Sequence, residues 1–406
     1  MTAPLPKRAT CLLAWGLIGL ATSPAFAQTW RLKVEGQGAE LKATPVVVAA
    51  PASIPVGDYT LRTASGELAG PAQVFEDNQG LRLALVFDHI PAQASEIFTL
   101  YPAPKKAVGP EGFGLRREGT NVSFDFKGKP FTTYRNDEGA KPFLFPILGP
   151  NGSEYTRSYP MRMIDGEDKD HPHQRSFWFT HGKVNGVDFW SENKGHGTIK
   201  ETSRKPEVAG AAVALIRTTD DWLGPDGKKV CDDERVISFF DTGANRIIDF
   251  AITIHASQGD VTFGDTKEGM FGVRVASSMD VTRKKGGKIT NAEGLVDDKA
   301  WGKPSPWVDY VGPVEGKTVG IAILNHPSSF RYPTTWHVRT YGLFAANPFG
   351  WHDFGKEQTG EYVLPRGQSV TFRYRVILHE GETASAHLAE AFEGFAHPPK
   401  VTLESK

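Results

Sequence analysis

The sequence predicts an all-β protein: a small N-terminal β-sandwich over residues 28–105, then a large antiparallel β-sandwich over 106–398 that ends in a helix. Three observations carry this expectation. Gly 43 and Pro 28 make about 17% of the 406 residues, above the usual combined share of roughly 12%, as many turns between short strands require. Hydrophobic residues recur with period two, the signature of half-buried antiparallel strands. Helical spacing is convincing in one place, at Leu388, Ala391, Phe392 and Phe395, whose shared face would dock on the sheets.

Taken in order, the first 27 residues read as an export signal. Lys7 and Arg8 supply a positive start, Cys11 to Ala21 an apolar run, and Ala25-Phe26-Ala27 a cleavage site before Gln28. The run is too short for a bilayer, which needs roughly 20 residues, so the expected location is periplasmic or extracellular. Cleavage would leave 379 of the 406 residues and a single cysteine, Cys231. Short strands follow at Trp30-Leu32-Val34, Thr44 to Val48, Tyr59 to Leu61, Gly80 to Phe87 and Ile97 to Tyr101, divided by Gly, Pro and Asp clusters. Pro102 to Arg117 reads as a linker. Beyond it, Ala212 to Trp222 and Val230 to Phe240 flank Gly224-Pro225-Asp226-Gly227, a hairpin turn. Ile248, Phe250, Ile252 and Ile254 alternate with polar neighbours, as do Val370, Phe372, Tyr374, Val376 and Leu378.

Composition narrows the function. The chain is 39% hydrophobic and 23% charged, with a formal net charge of -1. A nucleic-acid binder would carry a basic surplus, and a disordered chain would have low hydrophobicity and high net charge. A P-loop, a G-x-G-x-x-G after a strand, H-E-x-x-H and G-x-S-x-G are all missing. Cys231 lacks an evident cationic setting, which favours a structural thiol.

The densest chemistry lies between Asp165 and Trp190. In an extended chain His171, His173 and Arg175 share one face, near enough for the two imidazoles to share a small ligand or metal. His181 joins them only through a turn, and Asp170 adds a carboxylate just upstream. The plainer alternative is an exposed edge strand, which Pro172 favours. A second stretch sets His337, Arg339 and Tyr341 opposite Trp336, Val338 and Thr340, and runs on to Asn347. Two polar faces of this kind suit a concave pocket floor. Third, Glu268 precedes Gly269 at a strand start, with Arg274 inside the strand, a general-base position beside a glycine that admits substrate. Tryptophans in or near these stretches, among them Trp190, Trp301 and Trp336, offer faces to sugar rings, or serve as core.

The stretches Asp170 to Trp190, Pro333 to Gly350, Lys141 to Pro150, Glu268 to Ala276 and Trp301 to Tyr310 together resemble a bacterial family whose members carry the automatic label PmoA, or methane oxygenase. Gln174 stands where that family has a further histidine. The methane monooxygenase subunit of that name is built of membrane-spanning helices, whereas no segment after residue 27 is an uninterrupted apolar run of about 20 residues, so no membrane span is expected. The family's β-rich layout is similar to the galactose-mutarotase-like supersandwich of sugar epimerases and several glycoside hydrolases and lyases. That resemblance implies a histidine and a carboxylate acting as acid and base on a sugar.

The resulting expectation is an exported carbohydrate-active enzyme acting on a glycan, by hydrolysis first, then elimination or epimerisation. His173 or His337 serves as acid and Glu268 or Asp170 as base, with His171 beside them. Arg175, His181, Trp190, Arg274, Trp336, Arg339, Tyr341 and Asn347 bind substrate. Two rivals accompany it: a divalent-metal enzyme with His171 and His173 as ligands, and a glycan-binding protein without turnover.

Overall fold

The computed structural model describes residues 1–2, 28–77, 80–92, 95–103 and 111–404. The export signal with Cys11 and the middle of the linker lie outside the described residues. The described part is built of antiparallel sheets with one α-helix.

All the N-terminal strands join one seven-stranded sheet, in the order Leu41–Ala49, Gly80–Ile90, Leu68–Asp77, Gly57–Thr63, Ser95–Pro102, Trp30–Glu35 and Lys400–Glu404. Its last member comes from the far end of the chain, with Leu32 opposite Leu403 and Val34 opposite Val401. Period two gives this sheet two buried faces. Leu83, Leu85 and Phe87 enter its own core with Leu32, Val34 and Leu61, while Ala84 and Val86 pack with Phe240, Ile247, Leu324 and Ile377 of the next layer.

That next layer is a nine-stranded sheet containing Ala214–Leu223, Lys229–Asp241, Arg246–His255, Ser369–Glu380 and Lys317–Asn325. The expected hairpin joins the first two of these, with Gly227 at φ 78° and its amide bonded to the Gly224 carbonyl at 2.9 Å. The helix Leu388–Ala396 packs Leu388, Ala391, Phe392 and Phe395 on the same side as the N-terminal sheet, as its spacing predicts.

On the other side lies an eight-stranded sheet, in the order Trp336–Val338, Leu343–Ala346, Gly269–Arg274, Phe177–His181, Phe143–Ile147, Lys129–Arg135, Asn121–Phe126 and Phe113–Glu118. The two large sheets meet through aromatic rings. Phe177, Phe179 and Phe271 of one face Phe250, Phe372 and Tyr374 of the other, with Phe271 and Tyr374 stacked at 4.5 Å. The eight-stranded sheet therefore has one face in the core, and its opposite face carries His337 and Trp178.

Candidate active site

Register assembles the floor of that outer face. Phe143, Trp178, Gly272, Ala345 and His337 are successive partners across five strands, so their side chains share a face while Phe177, Phe271, Phe344 and Trp336 enter the core. Gly272 is small because Trp178 lies over it: a Cβ there would stand 2.7 Å from the indole ring. Trp190 covers Trp178 at 5.3 Å.

The segment carrying His171 and His173 is a turn, which corrects the extended reading. The Gln174 amide bonds to the His171 carbonyl at 3.0 Å and the Arg175 amide to the His173 carbonyl at 3.1 Å. His171 and Ser176 adopt positive φ, 44° and 56°, outside the extended region of a regular strand. The strand begins only at Phe177. Buried Arg157 holds the turn from below, donating to the carbonyls of Asp168 (3.3 Å), Asp170 (2.9 Å) and His171 (3.1 Å) and pairing with the Asp170 carboxylate. Arg274, buried in its strand, donates to Gln174 Oε1 at 2.6 Å and to Asp170 Oδ1 at 3.2 Å. Burial raises the Asp170 carboxyl, but Arg274, the His171 hydrogen bond and Arg157 outweigh it and hold the group below its ordinary value. Its other oxygen meets His171 Nδ1 at 2.6 Å. Imidazole Nδ1–H thus donates to a fixed carboxylate, and Nε2 has no partner among the described residues.

His171 stacks on Tyr341 with ring centroids 5.4 Å apart and planes 10° apart. Arg274 lies over the same ring at 5.0 Å and Arg339 at 5.6 Å. Burial raises the Tyr341 phenol above its ordinary value, so it keeps its proton at neutral pH. Arg339 also lies 5.5 Å over Trp301, whose Nε1 donates to His337 Nδ1 at 3.2 Å. Alternation applies only to Trp336–Val338, where the strand ends; Arg339 and Tyr341 lie in the turn that follows, closed by the Gly342 amide on the Arg339 carbonyl at 3.0 Å, and that turn, not a strand face, sets them beside His171.

The two histidines expected as acids are poorly suited to that role. His337 is 2% exposed, and burial, with Arg339 and Lys267, drives its pKa down to about 3. His173 is driven down to about 4 by burial, then by Lys141 and His171. Both are neutral near pH 7. Glu268 is partly open and pairs with Lys267 at 3.3 Å.

Other expected residues fall into structural roles. Trp336 is fully buried in the core and donates to the Ser305 carbonyl at 2.9 Å, leaving no face for a ligand. His181 is buried on the core side, its Nε2 bonded to the Gly264 carbonyl at 2.8 Å, and burial lowers it to about 4. It stands apart from His171 and His173. Asn347 bonds the carbonyls of Thr266 (2.9 Å) and Lys267 (2.8 Å), fixing the loop before Glu268. Arg175 pairs with Glu192 at 3.2 Å, and Lys141 reaches the same carboxylate at 2.6 Å. Trp190 is buried, with its ring 6.4 Å from His173. Sequence reasoning missed Arg157, Lys141 and Glu192 as partners, because only tertiary contact links them to the site.

His171 and His173 rings meet edge-on at 5.7 Å. Among the described residues no group of three or more His, Cys, Asp or Glu side chains is arranged to hold a metal ion, and no helix is long and apolar enough to cross a membrane. A hollow of about 390 Å³ at the junction of the N-terminal sheet and the C-terminal helix, lined by Lys42, Thr44, Arg375, His379 and His387 among others, contains none of the site residues.

Residues 121–393 match DUF6807, described as a family of unknown function. No curated protein matches the chain. Among solved structures it is similar to a protein in the glycosyl hydrolase family 38 from Enterococcus faecalis, at 8% identity and TM-score 0.39, covering 93% of this chain and 47% of that one. It is also similar to an α-mannosidase from Enterococcus faecalis V583, at 10% identity and TM-score 0.39, covering 93% of this chain and 46% of the other. The chain thus spans about half the length of these two structures.

Proposed function

We propose, for a chain that belongs to the DUF6807 family, that the face around His171 and Tyr341 is the active site of an exported carbohydrate-active enzyme working by proton transfer on a glycan. The observation that carries this reading is the Asp170–His171 pair at 2.6 Å, fixed by Arg157 and Arg274. A carboxylate on Nδ1 selects the tautomer whose Nε2 lone pair accepts a proton, and it stabilises the imidazolium that results. Tyr341, protonated and stacked beside it, supplies the proton on the other side of the reaction.

This arrangement favours elimination or epimerisation over hydrolysis. A two-carboxylate hydrolysis needs one group free to act as nucleophile or base, whereas both oxygens of Asp170 are engaged, one by the arginines and one by His171. Glu268 is left as a single carboxylate beside Lys267.

The test is turnover of an oligosaccharide panel in heavy water by the full chain, with products read by mass spectrometry and NMR. We expect solvent deuterium at a sugar carbon of the epimer, or an unsaturated product, and a loss of two to four orders of magnitude in rate for His171→Ala. Unchanged turnover in that variant, or simple hydrolysis without either signature, would overturn the mechanism. Glycan binding with no product would establish the non-catalytic rival.

A further inference from the structure

We propose, on the basis of that reading, that the sugar taken at this face is acidic and that Arg339 binds its carboxylate. The cations around the site are otherwise matched. Arg157 and Arg274 share Asp170, Arg175 and Lys141 share Glu192, and Lys267 pairs with Glu268. Arg339 alone in this group has no carboxylate within ion-pair distance among the described residues. Its guanidinium is held between the Trp301 and Tyr341 rings, and its Nε is buried without a hydrogen-bond partner.

A guanidinium fixed by aromatic walls and lacking a counter-charge is set up for a planar anion, because its fork of N–H donors matches a carboxylate in two parallel bonds. Neighbouring His337 is neutral and brings no charge of its own. Arg339 and His171 both pack on the Tyr341 ring, 5.6 and 5.4 Å from its centre, so the two border one site and an oligosaccharide bound beside that ring is within reach of both. The chemistry then follows. Neutralising the carboxylate acidifies the carbon that bears it, and His171 Nε2 takes that carbon's proton. In elimination, the freed electron pair forms the carbon–carbon double bond and the bond to the β-oxygen breaks. The Tyr341 hydroxyl protonates the leaving oxygen, and solvent returns the proton from His171 to Tyr341.

The experiment titrates the full chain with uronate oligosaccharides, covering galacturonate, glucuronate, mannuronate, guluronate and iduronate, each beside its neutral counterpart and a sulfated one. At least one uronate is expected to bind ten-fold or more tightly than its neutral counterpart. Arg339→Ala should abolish that preference and Arg339→Lys retain part of it, with thermal unfolding showing both variants folded. No uronate preference anywhere in the panel, or a preference untouched in folded Arg339→Ala, would overturn the proposal; a sulfated sugar bound more tightly than every uronate would overturn the carboxylate assignment. His171→Ala separates the two readings. Uronate binding kept with turnover lost supports both, whereas uronate binding and turnover both kept would sink the proton-transfer mechanism and leave the substrate class standing.

Discussion

Two clusters of buried charge lie in the large sandwich, and they are built on opposite plans. Between the sheets, Arg235 is bound by Asp233 at 2.8 Å and Asp220 at 3.3 Å, with Thr218 donating to Asp220 and Trp222 to Asp233. Nearly every charge in that cluster is answered from within, and all of it is out of reach of solvent. On the outer face, Arg157 and Arg274 close around Asp170 in the same manner, yet His171 Nε2 and Arg339 are left open. Burial pushes Asp220 well above the ordinary carboxylate range although Arg235 opposes it. A perturbed carboxyl therefore does not identify the site by itself. What separates the two clusters is access: the inner one keeps Asp220 Oδ1 unbonded but sealed in the core, whereas the outer one leaves His171 Nε2 unpartnered at the surface and Arg339 without a counter-charge.

The sharpest way to break this comparison is Arg235→Leu. It leaves Asp220 and Asp233 buried without their cation, and urea unfolding should register a loss of about 3–5 kcal/mol. His171→Ala should remove turnover while costing stability only about 1–2 kcal/mol, less than Arg235→Leu. If Arg235→Leu were nearly neutral, the inner cluster would not be the closed structural unit described. Gly272→Ala comes next. Its Cβ would meet the Trp178 ring at 2.7 Å, and displacing that ring should cost about 1–3 kcal/mol and weaken glycan binding, because the floor of the outer face moves.

The last test concerns Asp280, which packs behind Arg274. Burial pushes its carboxyl up to about 8 from 3.8; Arg274 opposes the shift and Asp168 adds to it. The folded chain therefore holds a proton there that the unfolded chain has released. The stability this contributes is full below about pH 4 and is lost as pH rises through about 8. Burial raises Asp168 too, but Arg283 and Asp280 hold it below its ordinary value, so it acts only beneath that window. Asp280→Asn should flatten the fall in thermal midpoint between pH 5 and 8; an unaltered slope would place the titration elsewhere.

Much of the fold is legible in local pattern, because period two and a glycine turn are properties of neighbouring residues. The strand pair around Gly227 and the helical stripe from Leu388 to Phe395 both follow from spacing, whereas Arg339 and Tyr341 reach the site through a turn that period two does not describe. The same alternation places Trp336 opposite His337, and so in the core, where composition alone suggests a sugar platform. The His171 turn is not legible in this way. It depends on positive φ at two residues and on Arg157, thirteen residues before Asp170 and part of no recognisable motif. The Glu192 contacts with Lys141 and Arg175 join segments 51 and 17 residues apart, and only the packed structure brings such partners together.

The strand Lys400–Glu404 covers Trp30–Glu35 at one end of the N-terminal sheet, and this ties the order of assembly to the direction of synthesis. The first strands made wait for the last, since Trp30–Glu35 has Ser95–Pro102 on one side and nothing on the other until some 365 further residues have emerged. Until then its outer backbone groups form an unprotected edge on which another chain can add. The final strand acts as a latch, and a nascent chain that stalls before it presents the one surface that the finished molecule conceals at this seam.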